Sequence, residues 1–189
     1  MGCSYSCNML NIEKEIEIIK KYVKNEKLIK HMIAVSEIMK EIARKLNENE
    51  ELWAKVGLFH DIDYEISDEN THGLKAEEIL KDILPKDAID AIKAHNEKTN
   101  FKCDSKLAKA LKAADQISGL IIASALVMPN KKLEEVKVET LKKKFKQKDF
   151  ARNIKREDIL LIEDLGIKLD EFFEISLNAL KRISEEILN

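Results

Sequence analysis

The stretch GLFHDIDYE, residues 57–65, decides the fold and raises the question of function. An apolar helical run ends there in His60 and Asp61, and two more carboxyl groups, those of Asp63 and Glu65, follow at once. Burying so many ionisable groups costs free energy unless they are paired or bind a metal. The stretch therefore predicts a helix that enters a hydrophobic core and ends by delivering ligands to it.

Composition favours an all-α fold around this stretch. The chain has 189 residues, 44% of them hydrophobic and 36% charged, which fits one soluble globular domain. Five Gly and two Pro are too few for the many turns of an all-β fold. Apolar residues recur at helical spacing along most of the chain. We predict a disordered tail over residues 1–11 and a single helical domain over 12–189, with a core at about 26–130 and a helical C-terminal extension at 131–189.

Local signals predict several helix ends. Thr71 is the expected N-cap of the helix after the GLFHDIDYE loop, and Pro85 begins the next helix. Asp104 or Ser105 caps a long apolar helix. Gly166 ends the first of two closing helices.

The charge balance and the absence of targeting signals exclude several classes of partner. The 33 basic and 35 acidic residues give a net charge of −2, so no overall field favours a nucleic acid polymer or an anionic membrane. No apolar run reaches the length of about 18 residues that a membrane span needs. The first residues match a short myristoylation pattern, MGCSYS, but a disordered tail is the preferred interpretation. Three cysteines outside any CxxC pair, without a secretory signal, indicate a cytoplasmic protein.

Four histidines, all in the first half of the chain, carry the functional signal. They are His31, His60, His72 and His95, and a fifth residue, Asp115, interrupts an apolar helix where it has no capping role. A lone histidine on an apolar face is usually a core residue. Four histidines together with this aspartate instead favour a site for one or two divalent cations inside a helical bundle.

The adjacent pair His60 and Asp61 fits such a site only at a helix end. Neighbouring side chains on a regular helix diverge by about 100°, so the two can reach one ion only where the helix stops. The loop that follows Asp61 provides that end.

The pattern His31, then His60-Asp61, then Asp115 resembles the H…HD…D signature of the HD superfamily of metal-dependent phosphohydrolases. The segments THGLKAEEIL, AIKAHN and KAADQISGLIIASALV are also similar to a small group of bacterial and archaeal HD hydrolases, and the resemblance covers about residues 26–185. It implies an all-helical core, a metal bound by these four residues, and hydrolysis of phosphate esters.

The resemblance also extends to the other two histidines and has one clear departure. His72 and His95 match the additional histidines of HD enzymes that hold two metals. Many relatives read HDIGK, whereas this chain reads HDIDYE, so the Gly and Lys are absent and the carboxylates of Asp63 and Glu65 stand in this stretch instead. This change disfavours a phosphodiesterase of the cyclic dinucleotide type.

Three carboxylates are the candidate catalytic residues. Asp61 is the ligand best suited to bridge two ions and to orient a water nucleophile. Asp63 or Glu65 is expected to act as general acid or base, or only to support a ligating histidine. Ligation by nitrogen and oxygen without thiolate fits Mn, Fe, Ni, Co or Mg.

Three further residues are candidates for substrate binding. Lys75 lies on the same helix face as His72, and Asn96 follows His95 directly. Arg152 belongs to a basic segment, residues 141–156, that either forms a solvated face or acts as a lid over substrate phosphates. The simpler alternatives are a solvated lysine for Lys75 and a helix cap for Asn96.

The sequence thus predicts a metal-dependent phosphohydrolase that acts on a phosphomonoester or phosphoanhydride, with a nucleotide as the preferred substrate. One alternative is a non-catalytic helical signalling or scaffold domain with a structural metal. Another is a di-iron oxygenase of the HD type. The expected partner is a small phosphate ester, and a homodimer is compatible with the sequence.

Overall fold

The structure, a computed structural model, describes residues 5–188 and the side chains of residues 12–188. Regular structure within these residues is helical throughout, so the predicted all-α fold with a helical C-terminal extension is confirmed. The α-helices are α1 (Tyr5–Tyr22), α2 (Glu26–Leu46), α3 (Glu50–Phe59), α4 (Ala76–Leu80), α5 (Lys86–His95), α6 (Lys106–Leu126), α7 (Val138–Lys146), α8 (Arg156–Leu160), α9 (Leu169–Arg182) and α10 (Ser184–Leu188). Four short 3₁₀ helices lie at Tyr64–Ile66, Glu97–Thr99, Leu133–Glu135 and Glu163–Leu165.

Side-chain caps fix where three of the main helices begin. Asn25 accepts a hydrogen bond from the Lys27 N–H at the start of α2. Asn49 caps α3 in the same way. Ser105, rather than Asp104, caps α6. Each cap satisfies backbone donors that a helix start leaves without a partner.

Helices α2 and α6 form the centre of the bundle. Helix α2 packs against α3, α6 and α9, and α6 also packs against α5, α7 and α8. Helix α3 lies very close to α2 because Gly57 has no side chain. A Cβ atom at Gly57 would lie 2.9 Å from the backbone of Ser36, closer than real Cβ contacts allow. This close packing carries the end of α3 into the core.

The extension packs onto the same hydrophobic core as the rest of the chain. Buried apolar side chains from Ile19 to Ile187 form one cluster that includes the large rings of Phe172 and Phe173 on α9. Burial of such side chains stabilises each by about 1.5–3 kcal/mol. The extension therefore packs on α2 through α9 and on α6 through α7, α8 and α9.

Several helix boundaries differ from the sequence prediction. The helix expected to begin after Thr71 begins only at Ala76. Gly73 has a positive φ of 92° and its N–H donates to the Asp63 carboxylate, so the chain turns here instead of coiling. This turn brings His72 inward.

The two ends of the chain also differ in detail. Helix α1 begins at Tyr5, so part of the segment predicted as a tail lies in this helix, and residues 1–4, where the myristoylation pattern starts, lie outside the described residues. Gly166, with φ 84°, ends a 3₁₀ helix, as its predicted C-terminal position requires. The last predicted helix is divided at Ile183 into α9 and α10. Within residues 5–188, no helix combines the length and apolarity that crossing a membrane requires.

Candidate metal centre

Six side chains from five parts of the fold meet in one place, which we call the histidine–aspartate centre. Each belongs to a different helix or turn except for one adjacent pair at the end of α3. They are His31 on α2, His60 and Asp61 after α3, His72 in the turn before α4, His95 at the end of α5, and Asp115 in the middle of α6. The ligand set predicted from the sequence is thus brought together by the fold.

The first half of the centre consists of His31, His60 and Asp115, whose ligand atoms all lie within 4.8 Å of one another. The Asp115 Oδ1 atom lies 3.0 Å from His31 Nε2 and 3.9 Å from His60 Nε2. The His60 side chain is fully buried, whereas those of His31 and Asp115 are 24% and 21% exposed. This half therefore has a wall in the core and an opening to solvent.

The second half consists of Asp61, His72 and His95, again within 4.8 Å. The Asp61 Oδ1 atom lies 3.0 Å from His72 Nε2 and 3.4 Å from His95 Nε2. The other oxygen, Oδ2, faces the first half, 3.3 Å from His60 Nε2 and 3.7 Å from His31 Nε2. The Asp61 carboxylate therefore stands between the two halves, with one oxygen directed to each.

Hydrogen bonds donated by Nδ1 orient all four imidazoles. The Nδ1 atoms of His60 and His95 lie 2.8 Å and 2.5 Å from the carbonyl oxygens of Gly57 and Ile92. Because a carbonyl oxygen only accepts, both Nδ1 atoms carry the proton. Each Nε2 atom is then left with a lone pair directed into the centre.

The other two histidines follow the same rule. His72 Nδ1 lies 2.9 Å from a carboxylate oxygen of Asp63, which accepts a hydrogen bond from it. His31 Nδ1 lies 3.3 Å from Ser118 Oγ. Since the Ser118 hydroxyl donates to the Asp115 carbonyl oxygen, its own oxygen is free to accept from His31. Every imidazole of the centre thus presents Nε2 inward, which is the arrangement of metal-ligating histidines.

Two consequences of this orientation fit a site that binds a cation. His60 Nε2 is buried and has no hydrogen-bond partner, although such atoms normally find one. The Nε2 atoms of His72 and His95 lie only 3.0 Å apart, so two lone pairs face each other unless a proton or a cation lies between them. The donor set of imidazole nitrogen and carboxylate oxygen fits a divalent transition metal or Mg²⁺.

The carboxylates and imidazoles of the centre shift one another's pKa values. Burial alone raises the pKa of Asp61, but the imidazoles of His60, His72 and His95 outweigh this effect and hold it well below its usual range. Burial likewise opposes protonation of His72, yet hydrogen bonds to Asp61 and Asp63 raise its pKa to about 9. Without a cation, His72 is therefore protonated and its Nε2–H donates to Asp61, and a bound metal would take the place of that proton.

Asp63, a predicted catalytic residue, lies behind His72 rather than inside the centre. Its carboxylate is fully buried, accepts from His72 Nδ1, and also accepts from the Gly73 N–H and the Ser67 hydroxyl. Burial raises its pKa, but His72 and these hydrogen bonds lower it more. The position is that of a carboxylate that orients a ligating histidine, one of the two roles that the sequence left open.

Glu65, the third predicted catalytic residue, lies elsewhere. Its carboxylate accepts hydrogen bonds from the backbone N–H groups of Lys24 and Asn25, at 2.8–3.0 Å. Both oxygens are thereby used at the junction of α1 and α2. Closeness to the HD pair in sequence did not bring Glu65 into the centre, because the 3₁₀ helix after Asp63 directs it toward α2.

The predicted substrate-binding residues are also engaged in structural contacts. The exposed Lys75 donates its ammonium to the Ile66 carbonyl oxygen. Asn96 donates to the carbonyl oxygens of Glu69 and His72, so it fastens the turn that carries His72. Arg152 is exposed in the loop before α8 and lies 3.6 Å from Asp149. These contacts do not bring Lys75 or Arg152 to the six side chains, and their role in substrate binding stays a prediction.

An open pocket of about 490 Å³ adjoins the second half of the centre at His72. Tyr64, a residue that is 56% exposed, forms one side of it, and its ring packs edge-on against the His72 ring at a centroid distance of 5.0 Å. Sequence reasoning passed over Tyr64, although its place directly after Asp63 is a usable signal. Ser118 was also missed, and its position three residues after Asp115 puts it on the same helix face.

The fold and the centre together define an all-α domain with two adjoining groups of histidine and aspartate able to hold metal. Residues 28–120 match the family model of the HD domain, and this range contains all six side chains of the centre. The chain belongs to the HD-domain superfamily, whose members are commonly metal-dependent hydrolases. Neither the comparison with curated proteins nor the one with solved structures found a match.

Proposed function

We propose that this protein is a metal-dependent phosphohydrolase that acts on a phosphomonoester or phosphoanhydride, most suitably of a nucleotide. The observation that carries the proposal is the shared orientation of the four imidazoles, each donating Nδ1–H outward and presenting Nε2 to the Asp61 carboxylate or to its neighbour Asp115. Packing of a hydrophobic core does not require four imidazoles that share this orientation, whereas nitrogen ligands turned to one place are what one or two divalent cations bind.

In this proposal the two halves of the centre hold the metal. His31, His60 and Asp115 form one set of ligands, and His72 and His95 form the other. Asp61 offers one oxygen to each set. A bound divalent cation lowers the pKa of a coordinated water and neutralises charge on a phosphoryl oxygen. Mn, Fe, Ni, Co and Mg all suit these donors.

The residues of the chain itself supply orientation and charge. Asp63 fixes the ring of His72 through Nδ1, and Gly73 and Ser67 in turn fix Asp63. The exposed edge at His31 and Asp115 gives water and substrate a way to the centre. Asp61 is the carboxylate best placed to accept a hydrogen bond from a water molecule between the two halves, because one of its oxygens faces each half.

The pocket beside His72 supports a nucleotide as substrate. A phosphate at the centre would leave the rest of the molecule free to lie over the exposed ring of Tyr64. Stacking of a base on an aromatic side chain contributes about 1–3 kcal/mol. Lys98, the cation of this pocket, is paired with Glu69, so the pocket is better suited to a planar group than to further phosphates.

A substrate screen tests the activity. Metal-free protein is reloaded with Mn, Fe, Co, Ni or Mg in turn and assayed for phosphate release from nucleotides, sugar phosphates and small alkyl phosphates. We expect hydrolysis of nucleotides by the wild type. Asp61→Ala should lower turnover by more than the roughly 10–100-fold that loss of an outer-shell partner causes. Asp82→Asn, at an exposed aspartate outside the centre, is the matched control.

The screen has outcomes that would overturn the proposal. Full activity of metal-loaded Asp61→Ala would contradict the mechanism. Metal binding by the wild type without hydrolysis of any phosphate ester would favour the structural-metal alternative. Oxygen consumption by the iron-loaded protein without phosphate release would favour the oxygenase.

A second experiment tests the role of the pocket. Tyr64→Ala should raise KM for a nucleotide about tenfold, the effect of losing about 1.4 kcal/mol of stacking. The same change should leave hydrolysis of a small alkyl phosphate unaltered. Tyr64→Phe keeps the ring and should retain the wild-type KM for the nucleotide. Equal effects of Tyr64→Ala on both substrates would show that the ring does not recognise a base.

A further inference from the structure

The side chain of Gln116 joins the histidine–aspartate centre to a distant part of the chain. Its Nε2 atom lies 2.8 Å from Oδ2 of Asp115, and its Oε1 atom lies 2.9 Å from the backbone nitrogen of Lys155. Lys155 directly precedes α8, in the extension that follows the family match at residues 28–120. One amide therefore connects a candidate metal ligand with a segment outside the HD domain.

The chemistry of the two partners fixes which way the Gln116 amide points. The Lys155 backbone N–H can only donate, so the oxygen of the amide must face it. The NH₂ group then faces Asp115 and donates to Oδ2, as an ionised carboxylate requires. Both partners accept a single orientation, and the amide has no equivalent flipped state.

This hydrogen bond distinguishes the two oxygens of Asp115. Oδ2 is occupied by Gln116, whereas Oδ1 lies 3.0 Å from His31 Nε2 and faces the first half of the centre. Asp115 is therefore held so that one oxygen alone is directed to the ligand set. Orientation of this kind, supplied by a hydrogen bond to the remaining atom of a ligand, tunes metal affinity.

The Lys155 N–H is itself fixed in space, because the segment around it is tightly folded. The Arg156 guanidinium donates to five backbone carbonyl oxygens, those of Phe145, Gln147, Phe150, Ala151 and Ile154. The Ile154 side chain lies against Gly119, one turn beyond Asp115 on α6, where an added Cβ would be 3.1 Å from it. The segment 147–156 is thus a compact loop held by Arg156 and packed on α6, one turn from Asp115.

We propose that Gln116 is a positioning residue through which segment 147–156 of the extension sets the orientation of Asp115 in the metal centre. The HD domain as matched at residues 28–120 is then incomplete by itself as a metal site. The N–H group that holds the Gln116 side chain in place belongs to Lys155, which lies outside that range. The inference rests on the metal-binding part of the proposed function and deepens it.

Metal binding by the full chain tests this inference without an assay of activity. Gln116→Met keeps the length of the side chain but removes both hydrogen bonds. Metal-free wild type and variant are titrated with Co²⁺, with affinity followed by calorimetry and ligand geometry by visible absorption. We expect binding weaker by about 10–100-fold and an altered Co²⁺ spectrum, as for loss of other outer-shell partners. Gln147→Met, the same change at an exposed glutamine of the same segment, should leave both unchanged.

The outcomes separate this inference from the proposed function. Wild-type affinity and spectrum in Gln116→Met would overturn the positioning role alone. Absence of Co²⁺ binding in the wild type would overturn the metal centre itself, and the positioning role with it. If Gln116→Met lowers the melting temperature of the metal-free protein, Gln116→Asn supplies the same test, since its amide is one methylene too short to reach both partners. Wild-type Co²⁺ binding by Gln116→Asn would equally overturn the inference.

Discussion

Ionisable side chains in the interior of this protein differ in how their burial is compensated. In the centre, Asp63 accepts several hydrogen bonds and Asp61 lies among three imidazoles, and the pKa values of both carboxyl groups are lowered despite burial. Asp158 on α8 is buried without comparable partners. Burial raises the pKa of Asp158, and the nearby Glu97 carboxylate raises it further. Its charge therefore opposes folding, whereas the charges of the centre are held in place by their neighbours.

Asp158→Asn should stabilise the protein at neutral pH. Because the folded pKa of Asp158 is raised, its stabilising contribution is present below the pKa of the unfolded chain and is lost as pH rises through the folded pKa. Removing the charge should raise the melting temperature at pH 7 by up to about 2–4 °C, the effect of about 1 kcal/mol in a chain of this size.

The pH dependence makes this test specific. At about pH 3, below the usual pKa of a carboxyl group, variant and wild type should melt at the same temperature. Asp164→Asn, at an exposed aspartate that pairs with Lys109, is the control and should not stabilise the protein. An Asp158→Asn variant that is less stable than the wild type at pH 7 would contradict the expected sign.

The residues of the centre were predictable from the sequence because their types are rare and their chemistry is narrow. Four histidines and a mid-helix aspartate in an apolar context allow few interpretations. The resemblance to the H…HD…D signature then indicated which of them bind the metal. Glu65 was chosen for its nearness to the HD pair, and the turn after Asp63 takes it elsewhere. Lys75 was chosen for a helix face shared with His72, but α4 begins only after Lys75. The contact between Gln116 and Lys155 left no pattern in the sequence, because it depends on how the extension folds back.

At the scale of elements, helix starts with a local cause were predictable and those with a tertiary cause were not. The caps Asn49 and Ser105 act on the next few residues, so their signal lies in the sequence itself. The late start of α4 arises because the distant Asp63 binds the Gly73 N–H and turns the chain. The sequence showed the glycine but not its partner.

The segment 147–156 illustrates an element held by one side chain instead of by regular hydrogen bonding. Ala151 in this segment has a positive φ of 47°, a conformation that costs free energy for a residue other than glycine. Its carbonyl oxygen, 2.7 Å from Arg156, is one of five that the guanidinium binds. The basic segment that the sequence offered as a lid is therefore, in its C-terminal part, a compact loop organised around Arg156.

Arg156→Lys should release this loop while preserving the charge. A lysine ammonium is a compact donor and cannot reach the five carbonyl oxygens that the planar guanidinium spans. We expect faster amide hydrogen exchange across residues 147–155 and a melting temperature lower by a few degrees. Arg152→Lys, at the exposed arginine of the same loop, should change neither. Exchange in Arg156→Lys as slow as in the wild type would show that the loop is held by other contacts.

At the scale of the whole molecule, the sequence predicted the fold class but not the way in which the extension completes it. Helical periodicity is a local property, so the all-α class followed from composition and spacing. The seating of α9 on α2 and of α8 on α6 depends on the shapes of both surfaces. The six side chains of the centre come from α2, the end of α3, the turn before α4, the end of α5 and α6, elements that are far apart in the chain.

Removal of metal should therefore destabilise the whole fold, in contrast to the local effect of opening the loop. The centre connects α2, the end of α3, the end of α5 and α6. Without a cation, the Nε2 atoms of His72 and His95 lie 3.0 Å apart and the buried Nε2 atom of His60 has no hydrogen-bond partner. A ligand that binds only the folded state at 100 times its Kd adds about 2.7 kcal/mol of stability. For a chain of this size we expect a melting temperature about 5–10 °C higher with Mn²⁺ than after treatment with a chelator.

Calorimetry of the wild type and of Asp61→Ala, each with and without Mn²⁺, measures the increment in melting temperature due to metal. The increment should be largely lost in Asp61→Ala, whatever the stability of that variant without metal. An equal increment in both proteins would mean that Mn²⁺ stabilises the fold from a site other than the histidine–aspartate centre.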